Sequence, residues 1–245
     1  MSERIEGRNA VIEALRSGRE LARVFIARGV KHDATLDEIR ELAAAASIPV
    51  SAVERAELDR ASERGHHQGV AAIAAEFEYA TLADIIARAQ GEARSLVLLL
   101  DHVIDPGNLG AIIRSAEVAG AHGVVVAERR SAPVTTVVHK ASAGATAYLP
   151  VARVTNLVRA MEELKAAGFW VAGASEHDAQ ALWDAPLEGR LVLALGAEGE
   201  GLSRLVAERC DFLVGIPVNG HVSSLNVAQA ATVLAYEWVR RSQVG

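Results

Sequence analysis

Three stretches of this 245-residue chain bring polar side chains and glycines together at spacings that suit ligand binding or proton transfer. The first, Asp101-His102-Val103-Ile104-Asp105-Pro106-Gly107-Asn108-Leu109-Gly110, runs into Ala111-Ile112-Ile113-Arg114-Ser115-Ala116. Pro-Gly-Asn is a turn that feeds a helix, with Asn108 as the expected N-cap. On that helix Leu109, Ile112, Ile113 and Ala116 share a stripe, and Arg114 points off it. Arg114 reads either as solvated surface or as a guanidinium turned toward an anion. The second stretch, Gly196-Ala197-Glu198-Gly199-Glu200-Gly201, follows an apolar run. Its G-x-x-G-x-G spacing is neither the dinucleotide fingerprint nor a Walker A loop, and its two glutamates disfavour a phosphate. The glycines permit close backbone approach to a ligand, or simply a tight connection. The third, Ile216-Pro217-Val218-Asn219-Gly220-His221-Val222-Ser223-Ser224-Leu225-Asn226, ends at a predicted helix start, where capping alone would explain Ser224 and Asn226.

Other constellations fall short of a site. Asp101, His102 and Asp105 lack the remaining ligands of a metal centre, and His66-His67 has no metal-like partner, so no metal is expected. Lys140-Ala141-Ser142-Ala143-Gly144 lacks the first glycine of a nucleophile elbow. Cys210 reads as a small core residue.

Loops of this kind need elements to hold them. Strands are predicted at 96–101, 123–127, 169–174, 191–195 and 212–216, and helices at 109–119, 134–143, 154–167, 202–207 and 225–241. Continuous apolar strands alternating with helices predict an α/β domain with a parallel sheet covered on both faces. Ligands of such sheets bind beyond the carboxyl ends of the strands, where all three stretches lie. Ahead of it, helices at 9–17, 35–46 and 54–61 and strands at 24–27, 48–50 and 69–75 predict a smaller α/β unit. The division expected is 1–78, a linker at 79–94 with a Thr81-capped helix, and 95–245. Helix 225–241 carries Leu225, Val227, Ala228, Ala231, Leu234, Ala235 and Trp238 around nearly its whole circumference. It must be buried in the domain or against a second subunit.

Composition narrows the class. With 51% apolar and 23% charged residues the chain folds, and its net charge of −6 supplies no bulk cationic field for nucleic acid or membrane. Residues 1–31 nevertheless hold seven basic side chains against four acidic ones, so an RNA-facing patch and a solvated surface are equally open. One cysteine excludes an intrachain disulfide and suits a reducing compartment. No apolar run approaches the roughly 18 residues of a membrane span. The first fifteen residues carry Glu3, Glu6 and Glu13 and lack a signal-peptide core. A cytoplasmic globular protein is expected.

Taken in order, the three stretches resemble the motifs of the SpoU-type (TrmH-like) RNA ribose 2′-O-methyltransferases of the SPOUT superfamily. The resemblance runs from Asp105–Gly110 through Arg114, Leu195–Gly201 and Ile216-Pro217 to Ser224-Leu225-Asn226. Lys140–Ala145, Pro150 and Asn156 support it. Ile5-Glu6-Gly7-Arg8-Asn9-Ala10-Val11 and His67-Gln68-Gly69-Val70 resemble the N-terminal RNA substrate-binding domain of the branch that methylates a guanosine ribose of 23S rRNA. Ala228-Gln229-Ala230 departs from the usual pattern at a place where it would touch the subunit interface rather than the site.

The resemblance implies a trefoil-knotted C-terminal methyltransferase domain, an S-adenosylmethionine cofactor, an rRNA substrate and a homodimer. By position it assigns cofactor contacts to Gly196, Ile216 and Leu225, with Glu198, Gly201 and Pro217 close by. It assigns Asn108, Arg114, Glu198, Ser224 and Asn226 to substrate and methyl transfer, and Arg8, Asn9 and Arg114 to RNA. Methyl transfer asks the protein to align a ribose hydroxyl and help remove its proton. A guanidinium does not readily give up a proton, so Arg114 suits pairing with a phosphate and a developing alkoxide, although the family's usual reading makes it the base. Asn226 and Ser224 would orient the ribose, and Glu198 would brace Arg114 or Asn108. The alternatives are a tRNA ribose methyltransferase, a resistance-type rRNA methyltransferase, or a catalytically silent ribosome-assembly factor of the same fold.

Overall fold

The computed structural model describes residues 4–16, 21–62, 67–176, 179–221 and 224–243. Ser17 of the first predicted helix, Arg19 of the basic cluster, His66 and Ser223 lie outside them. The chain divides into two compact units, 1–78 and 79–245.

The first unit runs β1 (Arg4–Glu6), α1 (Arg8–Arg16), β2 (Leu21–Ala27), α2 (Ala34–Ala45), β3 (Val50–Val53), α3 (Arg55–Ala61) and β4 (Val70–Ala74). Its sheet has the order β1-β4-β2-β3. Val11, Ile12 and Leu15 of α1 and Leu36, Ile39 and Ala43 of α2 recur at helical spacing and close a core with Val24, Ile26, Val70 and Ala72. The Asp33 carboxylate accepts from the Leu36 N–H and starts α2. β3 begins at Val50, two residues beyond the predicted strand start, because Pro49 has no N–H to add to a ladder.

The second unit runs α4 (Leu82–Arg88), β5 (Ser95–Leu100), α5 (Pro106–Val118), β6 (Gly123–Ala127), α6 (Thr136–Ala141), β7 (Val151–Val154), α7 (Leu157–Ala166), β8 (Trp170–Ala174), β9 (Gln180–Ala181), β10 (Arg190–Leu195), α8 (Arg204–Glu208), β11 (Phe212–Gly215) and α9 (Val227–Gln243). Its strands form a seven-stranded sheet in the order β7-β6-β5-β10-β8-β11-β9, parallel at every pairing. β5 and β10 lie next to each other inside it, which explains their uninterrupted apolar runs, buried on both faces.

Three expectations are corrected here. Asp105, not Asn108, caps α5: its carboxylate accepts from the Asn108 N–H at 2.7 Å, and Pro106 takes the first helical position, where its missing N–H costs nothing. The helix predicted from 154 is preceded by an edge strand, β7, and begins only at Leu157, after Asn156 accepts from the Arg159 N–H. Residues 79–94 are not a free linker. Thr81 and Asp84 form a capping box, and Leu82, Ile85 and Ala89 of that segment enter the core of the second unit beside Val97 and Val125.

α9 buries Val227, Ala228, Ala231, Leu234, Ala235 and Trp238, and Thr232 reaches Ser115 of α5. Near its end the buried Glu237 carboxylate accepts from Arg240 and Arg241, and Arg241 also donates to the Trp183 carbonyl. Hydrogen bonds from Arg240, with those from Arg241, outweigh burial and hold Glu237 below the usual carboxylate range. A carboxyl that ionises more readily folded than unfolded stabilises the protein above the unfolded pKa of about 4.3, and less as pH falls through that range. Glu237→Gln is therefore expected to lower the urea midpoint at neutral pH, with the gap to the parent narrowing below about pH 4.3. Urea titrations at several pH values check this; a gap independent of pH would deny the charge its role.

Candidate active site

The site is assembled from the carboxyl ends of β5, β8, β10 and β11. The chain leaves β5 at Asp101, whose side chain is 1% exposed. Its N–H donates to the Leu195 carbonyl at 2.8 Å, one Oδ accepts from the Ser203 N–H at 2.7 Å, and the other faces Nδ1 of His102. The connection after β10 is thereby fastened to the connection after β5. That second loop folds back on itself, with the Gly201 N–H donating to the Ala197 carbonyl at 2.9 Å. A Cβ on Gly196 would stand 2.0 Å from the carbonyl of Gly201 and 2.2 Å from the nitrogen of Leu202. Glycine is required at 196 because the chain approaches itself there, with no ligand needed to explain it.

The fold-back forms one wall of a cleft of about 750 Å³. Gly196, Glu198, Gly201, Ile216, Pro217 and Leu225, the positions expected beside a cofactor, all line it, as does Ser224. Leu195, Leu202 and Leu234 add apolar surface. Ser175, Glu176 and Gln180, beyond β8, line it too and were not anticipated. Their connection has no glycine-rich signature; only the rule that ligands sit beyond strand ends pointed there.

Asn226 joins the three loops. Its Oδ1 accepts from the Ala228 N–H at 2.9 Å, which caps α9 and fixes the amide. Its Nδ2 then donates to Oδ1 of Asn108 at 2.9 Å and reaches Glu198 Oε2 at 3.4 Å. Because Asp105 has taken over the capping of α5, the Asn108 amide is free to meet it. Glu198 thus touches Asn226 rather than bracing Arg114. Arg114 is exposed on α5 and has no hydrogen-bond or ion-pair partner among the described residues, so the folded subunit does not draw it into the Asn108–Asn226–Glu198 group.

In the first unit the expected RNA contacts divide. The Arg8 guanidinium is engaged internally with Asp33, the Gln68 carbonyl and the Lys31 carbonyl. It supports the turn in which buried His67 reaches Asp59 through Nε2 at 2.7 Å and accepts the Gly69 N–H through Nδ1 at 3.0 Å. Asn9 is exposed. Much of the basic cluster is neutralised: Arg4 pairs with Glu6, Arg28 with Glu54, and Arg16 with Glu38 and Glu13, of which Glu38 does most to raise the Arg16 pKa. Burial pushes the Cys210 thiol up to about 12 while it donates to the Val206 carbonyl, so it is inert packing.

Two family models cover this geometry. The SpoU rRNA Methylase family matches residues 95–236, and the RNA 2′-O ribose methyltransferase substrate-binding family matches residues 4–80. The chain belongs to the SpoU rRNA methylase family. A relative from Bacillus subtilis (strain 168), whose name places it among the TrmH family tRNA/rRNA methyltransferases, is 46% identical over 98% of this chain and 96% of its own. The crystal structure of the SpoU methyltransferase AviRb from Streptomyces viridochromogenes, in complex with AdoMet, is 29% identical, with a TM-score of 0.66 over 100% of this chain and 92% of its own. An AdoMet-bound rRNA methyltransferase from Sinorhizobium meliloti is 27% identical, with a TM-score of 0.65 over 98% and 87%. As a SpoU methylase the chain is an RNA ribose 2′-O-methyltransferase, built as expected from a parallel α/β domain and a smaller α/β substrate-binding unit.

The self-contact at Gly196 gives the methylase a sharp test. Gly196→Val forces apart the Gly201–Leu202 backbone and should weaken S-adenosylmethionine binding by about a hundredfold or more, equivalent to roughly 3 kcal/mol. Calorimetric titration of a variant with parental thermal stability checks it; unaltered affinity would show that the fold-back does not shape the cleft.

Proposed function

We propose that the enzyme transfers the methyl group of S-adenosylmethionine to the ribose 2′-hydroxyl of a guanosine in 23S rRNA, acting as a homodimer. The observation that carries this is the convergence of the glycine fold-back and the apolar walls on one cleft, with Glu198 of its lining hydrogen-bonded to Asn226, which in turn meets Asn108. The residues present fit the cofactor. Ile216 and Leu225 offer apolar surface to a purine, loop backbone offers donors and acceptors, and Glu198 and Glu200 offer negative charge to a cationic methyl donor. When bound, S-adenosylmethionine supplies an electrophilic methyl group on a sulfonium.

The remaining work belongs to the chain. Asn226, fixed by its cap, and Ser224 orient the acceptor ribose. Arg114, without a partner among the described residues, pairs with an RNA phosphate and stabilises the alkoxide as the 2′-hydroxyl loses its proton. Val118 of α5 and Tyr236 of α9 are 61% and 46% exposed on two helices joined at Ser115 and Thr232, which supports a second subunit packing there. In that arrangement Arg114 of one subunit serves the site of the other. The loops 196–203 and 216–226 would belong to a trefoil knot. The substrate-binding unit and the rRNA name of the matched family support rRNA over tRNA, and the guanosine rests on the resemblance of the first unit's motifs.

Arg114→Ala should leave S-adenosylmethionine affinity intact and lower turnover on the order of 10²–10³, the scale of one donor lost from a developing anion. Cofactor titration and single-turnover methylation check it; loss of cofactor binding would misplace Arg114. Sedimentation at micromolar protein should give a dimer rather than a species near 25.9 kDa. Ribose-methylation mapping in cells lacking the protein tests the substrate: one guanosine of 23S rRNA should lose its mark, and an unchanged rRNA map with a lost tRNA mark would reverse the assignment.

A further inference from the structure

The cations of the second unit are unevenly treated. Lys165, Arg159, Arg204 and Arg209 each pair with a carboxylate. Arg114, Arg129, Arg130 and Lys140 have no hydrogen-bond or ion-pair partner among the described residues, and all four are exposed. They lie on α5, α6 or the 128–135 connection between β6 and α6. The two helices are in close contact: a Cβ on Gly110 of α5 would stand 2.5 Å from Ala141 and 2.7 Å from the Val138 carbonyl of α6.

The 128–135 connection leaves the carboxyl end of β6, the same edge of the sheet from which the active-site loops arise. It is fastened to the first of those loops. The Ala132 N–H donates to the Val103 carbonyl at 2.9 Å, and the Ser131 hydroxyl to the same oxygen at 3.4 Å. Val103 precedes the capping residue Asp105 by two positions and Asn108 by five. Arg130 sits at φ +59°, a left-handed conformation uncommon for a residue with a side chain. Glu128, the carboxylate next in the chain, pairs with neither arginine.

Adjacent guanidiniums with no ion-pair partner among the described residues repel each other and add nothing to folding, but they match a polyanion. We propose that Arg129 and Arg130, with Lys140, form a phosphate clamp that grips the substrate RNA beside the nucleotide to be methylated. This rests on the RNA methyltransferase reading. It locates a grip on the methyltransferase unit itself, whereas the arginines of residues 1–31 are largely paired within their own unit.

The test uses the full-length enzyme with 23S rRNA and tRNA transcripts, binding being measured across a salt series. The double variant Arg129→Ala, Arg130→Gly keeps the loop, since glycine is at ease at positive φ. Its RNA affinity near 0.1 M salt should fall on the order of tenfold. The slope of log affinity against log salt should lose about 1.4–1.8, the share of two phosphate contacts. Arg129→Lys with Arg130→Lys should restore the slope, and S-adenosylmethionine affinity should not move in either variant. A parental slope in the Ala/Gly variant overturns the clamp. Methylation of tRNA but not of the 23S transcript would overturn the substrate reading alone, and the clamp would then stand or fall by the same slope on tRNA.

Discussion

The buried carboxylate of Asp101 is the constraint on which the site depends. A carboxylate removed from water is costly unless its oxygens are hydrogen-bonded. Here one oxygen takes the Ser203 N–H and the other meets His102. The first partner lies 102 residues away, on the far side of the glycine loop, so satisfying Asp101 requires that loop to close. Closure brings Gly201 against Gly196, and the absence of a side chain at 196 lets the backbones meet. One electrostatic requirement and one steric permission together shape the wall of the cleft.

The Asn108–Asn226–Glu198 group follows from a similar division of labour. Two polar residues stand at the start of α5, Asp105 just before it and Asn108 in its first turn; Asp105 caps it, which frees the Asn108 amide. Asn226 caps α9 with its oxygen and so has only its NH₂ to offer, toward Asn108 and Glu198. Capping thus decides which way the Asn226 amide must face. Arg114 stands outside this network. A guanidinium without a partner among the described residues is suited to a phosphate that arrives with the substrate.

The sheet was legible in the sequence because β5 and β10 are buried on both faces and carry nothing polar from Leu96 to Leu100 or Leu191 to Leu195. β7 and β9 were not: they are short, lie at the sheet's edges, and blend into neighbouring helix or loop signals. The capping error at α5 was avoidable, because Pro106 marks the residue before it as the cap. Arg8 and Asp101 were opaque for a different reason. The internal hydrogen bonds of each come from partners tens of positions away that only the fold delivers, at Asp33 and Gln68 for one and Ser203 for the other. The cleft-lining residues were legible only through the ordered set of three motifs, since each loop alone was accounted for by turn and capping chemistry.

The most direct test of this account is S-adenosylmethionine titration of Asp101→Ala and Asp101→Asn, each first shown to unfold at the parental temperature or close to it. Losing a hydrogen bond to a charged acceptor is worth about 1.5–3 kcal/mol, so the alanine variant should bind roughly tenfold to a hundredfold more weakly. The asparagine variant, which keeps an acceptor for the Ser203 N–H, should recover much of that loss. A folded alanine variant with parental affinity would contradict the claim that the Asp101–Ser203 tether builds the cofactor cleft.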